Sequence, residues 1–376
     1  MPLSLRKLYS GLFVVSLQTL TLAAHAATVP YQLATLQQNP ASLSLRDDIS
    51  DTVMQMDGYI FIDDSDELIY SLKKANDEGR ALQGRSRGIL VIPGDEAELV
   101  QRLEAMSDDT NSFAAGGHFT LSTSSPAWHI VGGSEFSGSA RFNYDEDDAN
   151  RLRFATLVGL FSFGELQSSM EVSALWSNYL GLNYRFNIDG FTNTQFGITP
   201  KIQNISLIER SILISEYEEE KLFDSGRDVD HTLQLNADLG ISHRLNSWVL
   251  GLAIKDIYQQ EMESTIGTVY QQRSRVNASI DYHASWATWR FDADLTPQAA
   301  FGEMPAQRAY KLRSAIPLSQ RIALLLGYRW LDNPYSDDSP SIGLHYSLDQ
   351  LLHINVEFSY VSNNELGGSI NLQLPL

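Results

Sequence analysis

The segment HTLQLNADLGIS, residues 231–242, sets Leu233, Leu235, Ala237, Leu239 and Ile241 at every second position, with Thr232, Gln234, Asn236, Asp238 and Gly240 between them. A period of two predicts a strand with one apolar face. The same pattern recurs to the end of the chain, in apolar rows that begin at Trp248, Val276, Trp289, Ile322, Ile342, Leu352 and Ile370. Opposite them stand polar rows: Asn277, Ser279, Asp281 and His283, then Arg290, Asp292 and Asp294, then Arg321 and Arg329, then His353, Asn355, Glu357 and Ser359. A soluble β-sandwich also alternates, because its outer faces meet water. These segments, however, run to about nine to eleven residues, the length of a tilted membrane-spanning strand. Strands of soluble proteins average about five or six.

Composition narrows the compartment and the partners. Forty-six acidic residues against twenty-seven basic ones give a formal charge of −19, which repels the phosphates of nucleic acid. The acidic residues gather in turn-like runs such as Asp145 to Asp148 and Glu216 to Glu220, as solvated loops do. Arg6 and Lys7, the apolar run Leu12 to Ala23 and the Ala24-His25-Ala26 site read as a secretory leader, residues 1–26, cleaved after Ala26. The chain holds no cysteine, so disulfides, thiolate catalysis and cysteine-ligated metals are excluded. No later stretch offers about eighteen consecutive apolar residues for a transmembrane helix. An exported chain of long alternating strands is expected to close them into a barrel, because backbone groups in lipid have no water to bond.

The expectation is therefore an all-β fold: a transmembrane antiparallel β-barrel of about fourteen strands over residues 51–376, after an N-terminal segment, residues 27–50, that turns at Asn39-Pro40. Residues 64–109 interrupt the strand pattern. There Leu68, Ile69, Leu72 and Ala75, and then Ala97, Leu99, Val100, Leu103 and Met106, recur at helical spacing. They predict two amphipathic helices, either a plug in the lumen or a decoration at the mouth. Further candidate strands include Trp128 to Gly132, Phe136 to Tyr144, Arg151 to Phe161, Met170 to Trp176, Tyr179 to Asn187 and Thr194 to Leu207. Gly116-Gly117 and Gly132-Gly133 read as turns, and Pro200 as a bulge or a rim position. Polar inserts at 209–230, 259–272, 297–307 and 332–340 have the unevenness of long outer loops alternating with short turns. Trp176 with Tyr179, Trp248, Trp286 with Trp289, and Trp330 with Tyr335 suit interfacial girdles.

Asn39-Pro40-Ala41-Ser42, following a leader and preceding a long β-rich chain, resembles the opening of FadL-like outer-membrane proteins. A closer likeness is to exported plasmid-transfer TraF-like proteins and related PorV-type barrels. It is carried by the helical insert, by Gly251-Leu252-Ala253-Ile254-Lys255-Asp256-Ile257, by Trp289 to Thr296, by Leu326-Gly327-Tyr328-Arg329 and by Ser341 to Leu344. The resemblance implies an outer-membrane barrel. Its function would be to pass or bind small apolar or amphipathic solutes through a polar, plugged lumen, or to serve a conjugation or secretion apparatus as a docking barrel. The TraF label is shared with thioredoxin-like proteins, and a chain without cysteine cannot exchange disulfides.

No catalytic set emerges. The histidines form no His-x-x-x-His pair, and no glycine pair precedes a Gly-Lys-Ser/Thr, so neither an enzyme nor a cofactor or metal is expected. The candidate lumen-lining residues are Arg290, Asp292, Asp294, Arg329, His345 and Glu357, which stand opposite apolar rows. Turned inward, they either pair and close the lumen or line a passage. The expected partners are outer-membrane lipid, envelope proteins and a small-molecule ligand, with no nucleic acid.

Overall fold

The computed structural model describes residues 38–42, 53–64, 66–86, 95–122, 127–158, 162–217, 228–333, 338–348, 351–360 and 365–375. The expected leader lies outside them. In chain order the elements are β1 (Val53–Asp63), α1 (Leu68–Ser86), α2 (Asp95–Ala105), β2 (Thr110–Ser122), β3 (Trp128–Asn143), α3 (Asp147–Val158), β4 (Ser169–Phe186) and β5 (Thr194–Leu213). They continue with β6 (Val229–Leu245), β7 (Trp248–Lys255), β8 (Gln260–Glu263), β9 (Val269–Gln272), β10 (Arg275–His283) and β11 (Thr288–Asp294). The last are β12 (Arg308–Pro317), β13 (Ile322–Asp332), β14 (Ser339–Leu348), β15 (Leu352–Tyr360) and β16 (Glu365–Pro375).

Fourteen of these strands form a closed antiparallel barrel in which each pairs with its sequence neighbours, β7 pairs with β10, and β1 pairs with β16. Closure leaves no strand edge, as lipid requires. The period of two sends each apolar row outward: Leu233, Leu235, Leu250, Ile280, Leu326, Leu344, Phe358 and Ile370 all remain exposed. The intervening polar row is shielded inside, as His345 and Ser347 are on β14. Among the described residues no helix is long and apolar enough to cross a membrane. One end of the barrel holds the short turns, such as 246–247 and 318–321, and the other end holds the long connections. Trp128 on Tyr184, Trp248 on Tyr282 and Trp286 beside Trp289 form an aromatic girdle at the short-turn end. Tyr179 departs from the expected girdle: it points inward, toward His118.

Strands β3, β4 and β5 are 16, 18 and 20 residues long, beyond the roughly nine to eleven that cross a bilayer. Their surplus projects past the apolar belt at the long-connection end. There the outward side chains Ala140, Phe142, Met170, Val172 and Ile212 are buried by Leu68, Leu72 and Leu82 of α1, Leu99 and Leu103 of α2 and Leu152 of α3. Arg102 of α2 grips Glu78 of α1 through two hydrogen bonds of 2.8 and 2.9 Å. Asn76 donates to the carbonyls of Ile214 and Tyr217, tying α1 to the end of β5. The insert thus lies against the outer wall, not in the lumen.

The structure corrects several sequence expectations. The segment expected as a strand from Arg151 is part of α3: Asp145 accepts the backbone N–H of Asp147, and acidic Asp147 and Asp148 sit in the first turn, where the helix dipole favours them. Gly116-Gly117 and Gly132-Gly133 are not turns but mid-strand. A Cβ at Gly116 would strike the Tyr59 ring, and one at Gly132 the Phe119 ring, so these glycines make room for cross-strand aromatics. Segments expected as pairs of short strands therefore run through as β3 and β4. Pro200 lies within β5, where the β4–β5 ladder skips Leu182 and Asn183 because proline has no N–H to give. Val53, Tyr59 and Phe61 of β1 share the inward face and pair with Ser122, Gly116 and Ala114 of β2.

Candidate functional site

The lumen is built from the inward rows, and it is stoppered near both ends. Toward the short-turn end the stopper is the turn Asn39-Pro40-Ala41-Ser42. Asn39 folds the turn itself, its Oδ1 accepting the N–H of Ala41 at 2.9 Å and its carbonyl that of Ser42 at 2.9 Å. Its Nδ2 donates to Ile241 O at 3.1 Å and Ser242 Oγ at 3.2 Å on β6. Asn183, opposite the ladder gap at Pro200, donates to Pro40 O at 3.1 Å, and Arg185 donates to Ser42 O at 3.2 Å. The wall beneath is glycine: a Cβ at Gly197 would meet Pro40 O, and one at Gly240 would meet Asn39 Oδ1. Asn39, Ala41 and Ser42 are accordingly buried.

The middle of the lumen is charged. Lys201 of β5 reaches Asp238 at 2.7 Å and Asp256 at 2.8 Å, and Asp256 also accepts from Gln203 and from Arg275. A nearly buried lysine held by two carboxylates meets the requirement that buried charge be paired. Asp256 terminates β7 with φ of 56°, a left-handed conformation in which aspartate is among the favoured residues, and its N–H bonds back to Asp238. The Lys255-Asp256 step of the 251–257 motif is therefore the point where this network is tied. Beside this network, with Lys201 Nζ 5.5 Å from the Tyr179 ring centre, His118 lies 3.2 Å from the Tyr179 hydroxyl and 3.5 Å from Glu135. The Arg329 guanidinium stacks 3.7 Å over the Phe61 ring. Lys311 belongs to the inward row yet is exposed, so space remains around it.

At the long-connection end the inward side chains Leu175, Ile205 and Leu207 form an apolar patch. The β8–β9 hairpin covers it with Met262 and Tyr270, and the 297–307 connection with Phe301 and Met304. Glu209 accepts from Ser264 at 2.6 Å and Thr268 at 2.9 Å, pinning the hairpin. Arg141 pairs with Glu303 at 2.8 Å, and Ser173 Oγ accepts the Glu303 N–H at 2.9 Å. Burial raises the Glu303 carboxyl above the usual carboxylate range, and Glu171 and Glu209 add to the rise against Arg141.

The six residues singled out from the sequence all stand on inward rows, where the structure joins Arg290 to Asp292 and gives the others contacts of their own. Arg290, 2% exposed, donates to both oxygens of Asp281 at 2.8 and 3.0 Å and to Asp292, which also receives Arg313. Asp294 accepts from Asn277 and from Ala309 N–H. Arg329 donates to Ser339 at 3.1 Å, His345 bonds Asn355 at 2.6 Å, and Glu357 accepts from Ser341. His345 begins a polar ladder that passes through Asn355 and Asn371 to Asp57. Sequence reading missed His118 with Tyr59 stacked on its ring, Glu135, Lys201 and Asp256. The period-two rule reaches most of them, as Lys201 alternates with exposed Ile202. Their convergence from distant strands is not written in any local pattern. Among the described residues no group of three or more histidines, aspartates or glutamates is arranged to hold a metal.

Residues 37–295 match the sequence profile of a family described as "F plasmid transfer operon, TraF, protein". Among solved structures the chain is similar to the "CymD monoaromatic hydrocarbon channel", at 8% identity over 93% of this chain and 95% of that one, with a TM-score of 0.51. It is also similar to the "P. putida toluene transporter TodX", at 10% identity over 90% and 93% of the two chains, with a TM-score of 0.49. At such identity the CymD likeness speaks for the barrel fold alone. No curated protein matches the chain.

Proposed function

The chain belongs to the family described as F plasmid transfer operon, TraF, protein, and on that footing we propose that it is an outer-membrane barrel passing small apolar or amphipathic solutes. The observation that carries the reading is a lumen filled near each end by segments that are not strands of its wall. A four-residue turn fills one end and a loop pair the other, while the middle keeps space beside Lys311. A barrel that served only as a wall would gain nothing from a socket of glycines shaped around its own N-terminal turn. Arg290 with Asp292, and Arg329, Asp294, His345 and Glu357, then act as the polar lining, mostly satisfied by neighbours and so fixed in place.

The test is flux into proteoliposomes holding the full chain, with benzyl alcohol and a short-chain alkyl sulfonate as solutes. In the variant Gly240→Ala, the new methyl group displaces Asn39. Flux is expected in the unaltered protein and a several-fold rise in Gly240→Ala. Absence of flux in both would count against passage.

A second reading, a docking barrel for an envelope apparatus, draws on the helical cap. It covers the outer wall of β3–β5 and presents exposed Tyr70 and Phe154. Co-purification of a stoichiometric envelope protein, lost on substituting Tyr70 and Phe154 by serine, would support it.

A further inference from the structure

The apolar patch at the mouth sits oddly in a polar lumen. Inward rows need no apolar side chains for the sake of the bilayer, yet Leu175, Ile205 and Leu207 stand together on β4 and β5, joined by Met262 and Tyr270 of the β8–β9 hairpin. Into this socket the 298–307 ribbon inserts one aromatic ring, Phe301, 2% exposed and edge-on to Tyr270 with ring centroids 5.8 Å apart. Met304 fills the space beside it.

The ribbon is constructed as a separable part. It bonds to itself: Phe301 and Met304 exchange N–H···O bonds of 2.9 and 2.8 Å, and Gln298 and Gln307 exchange another pair. Its two bridges lie outside the barrel ladders. The backbone groups of these four residues are satisfied within the ribbon and keep their bonds when it leaves the socket, while Glu303 N–H, bonded to Ser173 Oγ, exchanges that bond for water. What holds its tip is the Arg141–Glu303 pair and the bond from Glu303 N–H to Ser173. The pair is bidentate, Nε to Oε2 at 2.8 Å and Nη2 to Oε1 at 3.3 Å, with 37% of the Arg141 side chain and 19% of Glu303 exposed, so it is the tie that must break for the tip to leave. Gly302 makes the tip possible. Its φ is 51°, and a Cβ there would collide with Ser173 Oγ and lie 2.9 Å from Glu209.

We infer that the socket of Leu175, Ile205, Leu207, Met262 and Tyr270 is a binding subsite for a monocyclic aromatic or similarly compact apolar solute. Phe301 is its tethered occupant, withdrawn when the solute enters. The inference rests on the reading of the barrel as a passage for apolar solutes and names the group that such a solute must replace. A tethered ring competes with the solute, so the apparent affinity of the closed protein is lowered by the fraction of time the ribbon stands open.

The experiment follows 4-fluorobenzyl alcohol by fluorine NMR with the full chain in detergent, against a detergent blank. Heat-modifiable migration verifies a folded barrel in each variant. Phe301→Ala, which removes the occupant, and Gly302→Ala, which expels the tip but keeps the ring, are each expected to bind the probe about tenfold more tightly than the unaltered chain. Adding Leu207→Asn is expected to abolish the gain. Equal affinity in the unaltered chain and in either folded single variant would overturn the inference, as would a gain that survives Leu207→Asn. Flux is measured in parallel. A binding gain without flux in any variant supports the subsite while refuting passage, and flux without a binding gain refutes the subsite alone.

Discussion

Asp109 lies where β2 leaves the helical insert, among Asp64, Asp66 and Asp108, and no cation offsets them in its titration. Burial, with the three neighbouring carboxylates adding to it, lifts its pKa to about 6. A carboxyl whose folded pKa exceeds its unfolded value costs stability once it ionises. The penalty is absent below about 3.8, grows as pH rises, and is fully present above about 6. Asp109→Asn is therefore expected to raise the unfolding midpoint at pH 7.5 and to leave it nearly unchanged at pH 4. A midpoint shift of equal size at both pH values would contradict the assignment. Asp256 is the opposite case, a carboxylate whose cost of burial is met by Lys201 and Arg275. At this scale the sequence was partly legible. Asp256 stood in a motif, but its partners lie 55 and 19 positions away, and spacing alone cannot bring them together.

Helices α1 and α2 followed from periodicity, because Leu68, Leu72 and Ala75, then Leu99, Leu103 and Met106, fall on one stripe each and are all buried. What each stripe touches is set by strands β3–β5, which are long enough to offer an outer wall above the lipid. Truncating Leu103, fully buried in that cluster, to alanine is expected to cost about 2–5 kcal/mol of cap stability. Limited proteolysis should then cut the insert while heat-modifiable migration of the barrel persists. Loss of both together would mean that cap and barrel fold as one unit. Helix α3 shows no apolar stripe in the sequence, because its first turns bury only Asp148, Ala149 and Leu152, which leaves local capping by Asp145 as the deciding signal. The glycine pairs were misread as turns for a related reason. A glycine that opens space for a neighbouring strand looks, in one dimension, the same as one that bends the chain.

The whole molecule is ordered by what surrounds it. Leu233 and Leu235, 74% and 71% exposed on β6, would be intolerable in water as part of a continuous belt and are at home in hydrocarbon. Placing arginine at position 235 is expected to cost about 2–4 kcal/mol near the bilayer midplane. Urea titration of the protein refolded in lipid vesicles measures that loss, and an unchanged midpoint would remove position 235 from the lipid face. The alternation of side chains by itself determined the strand type, the closed antiparallel sheet and which row faces outward, because a period of two leaves a strand only two faces and lipid accepts only one of them. Tertiary structure alone decided that the helices lie outside, that the turn at Asn39 and the ribbon at Phe301 stopper the lumen, and which inward charges meet. Those contacts join residues far apart in sequence, whose approach is fixed by barrel register and by the lengths of β3–β5, and no local pattern encodes either.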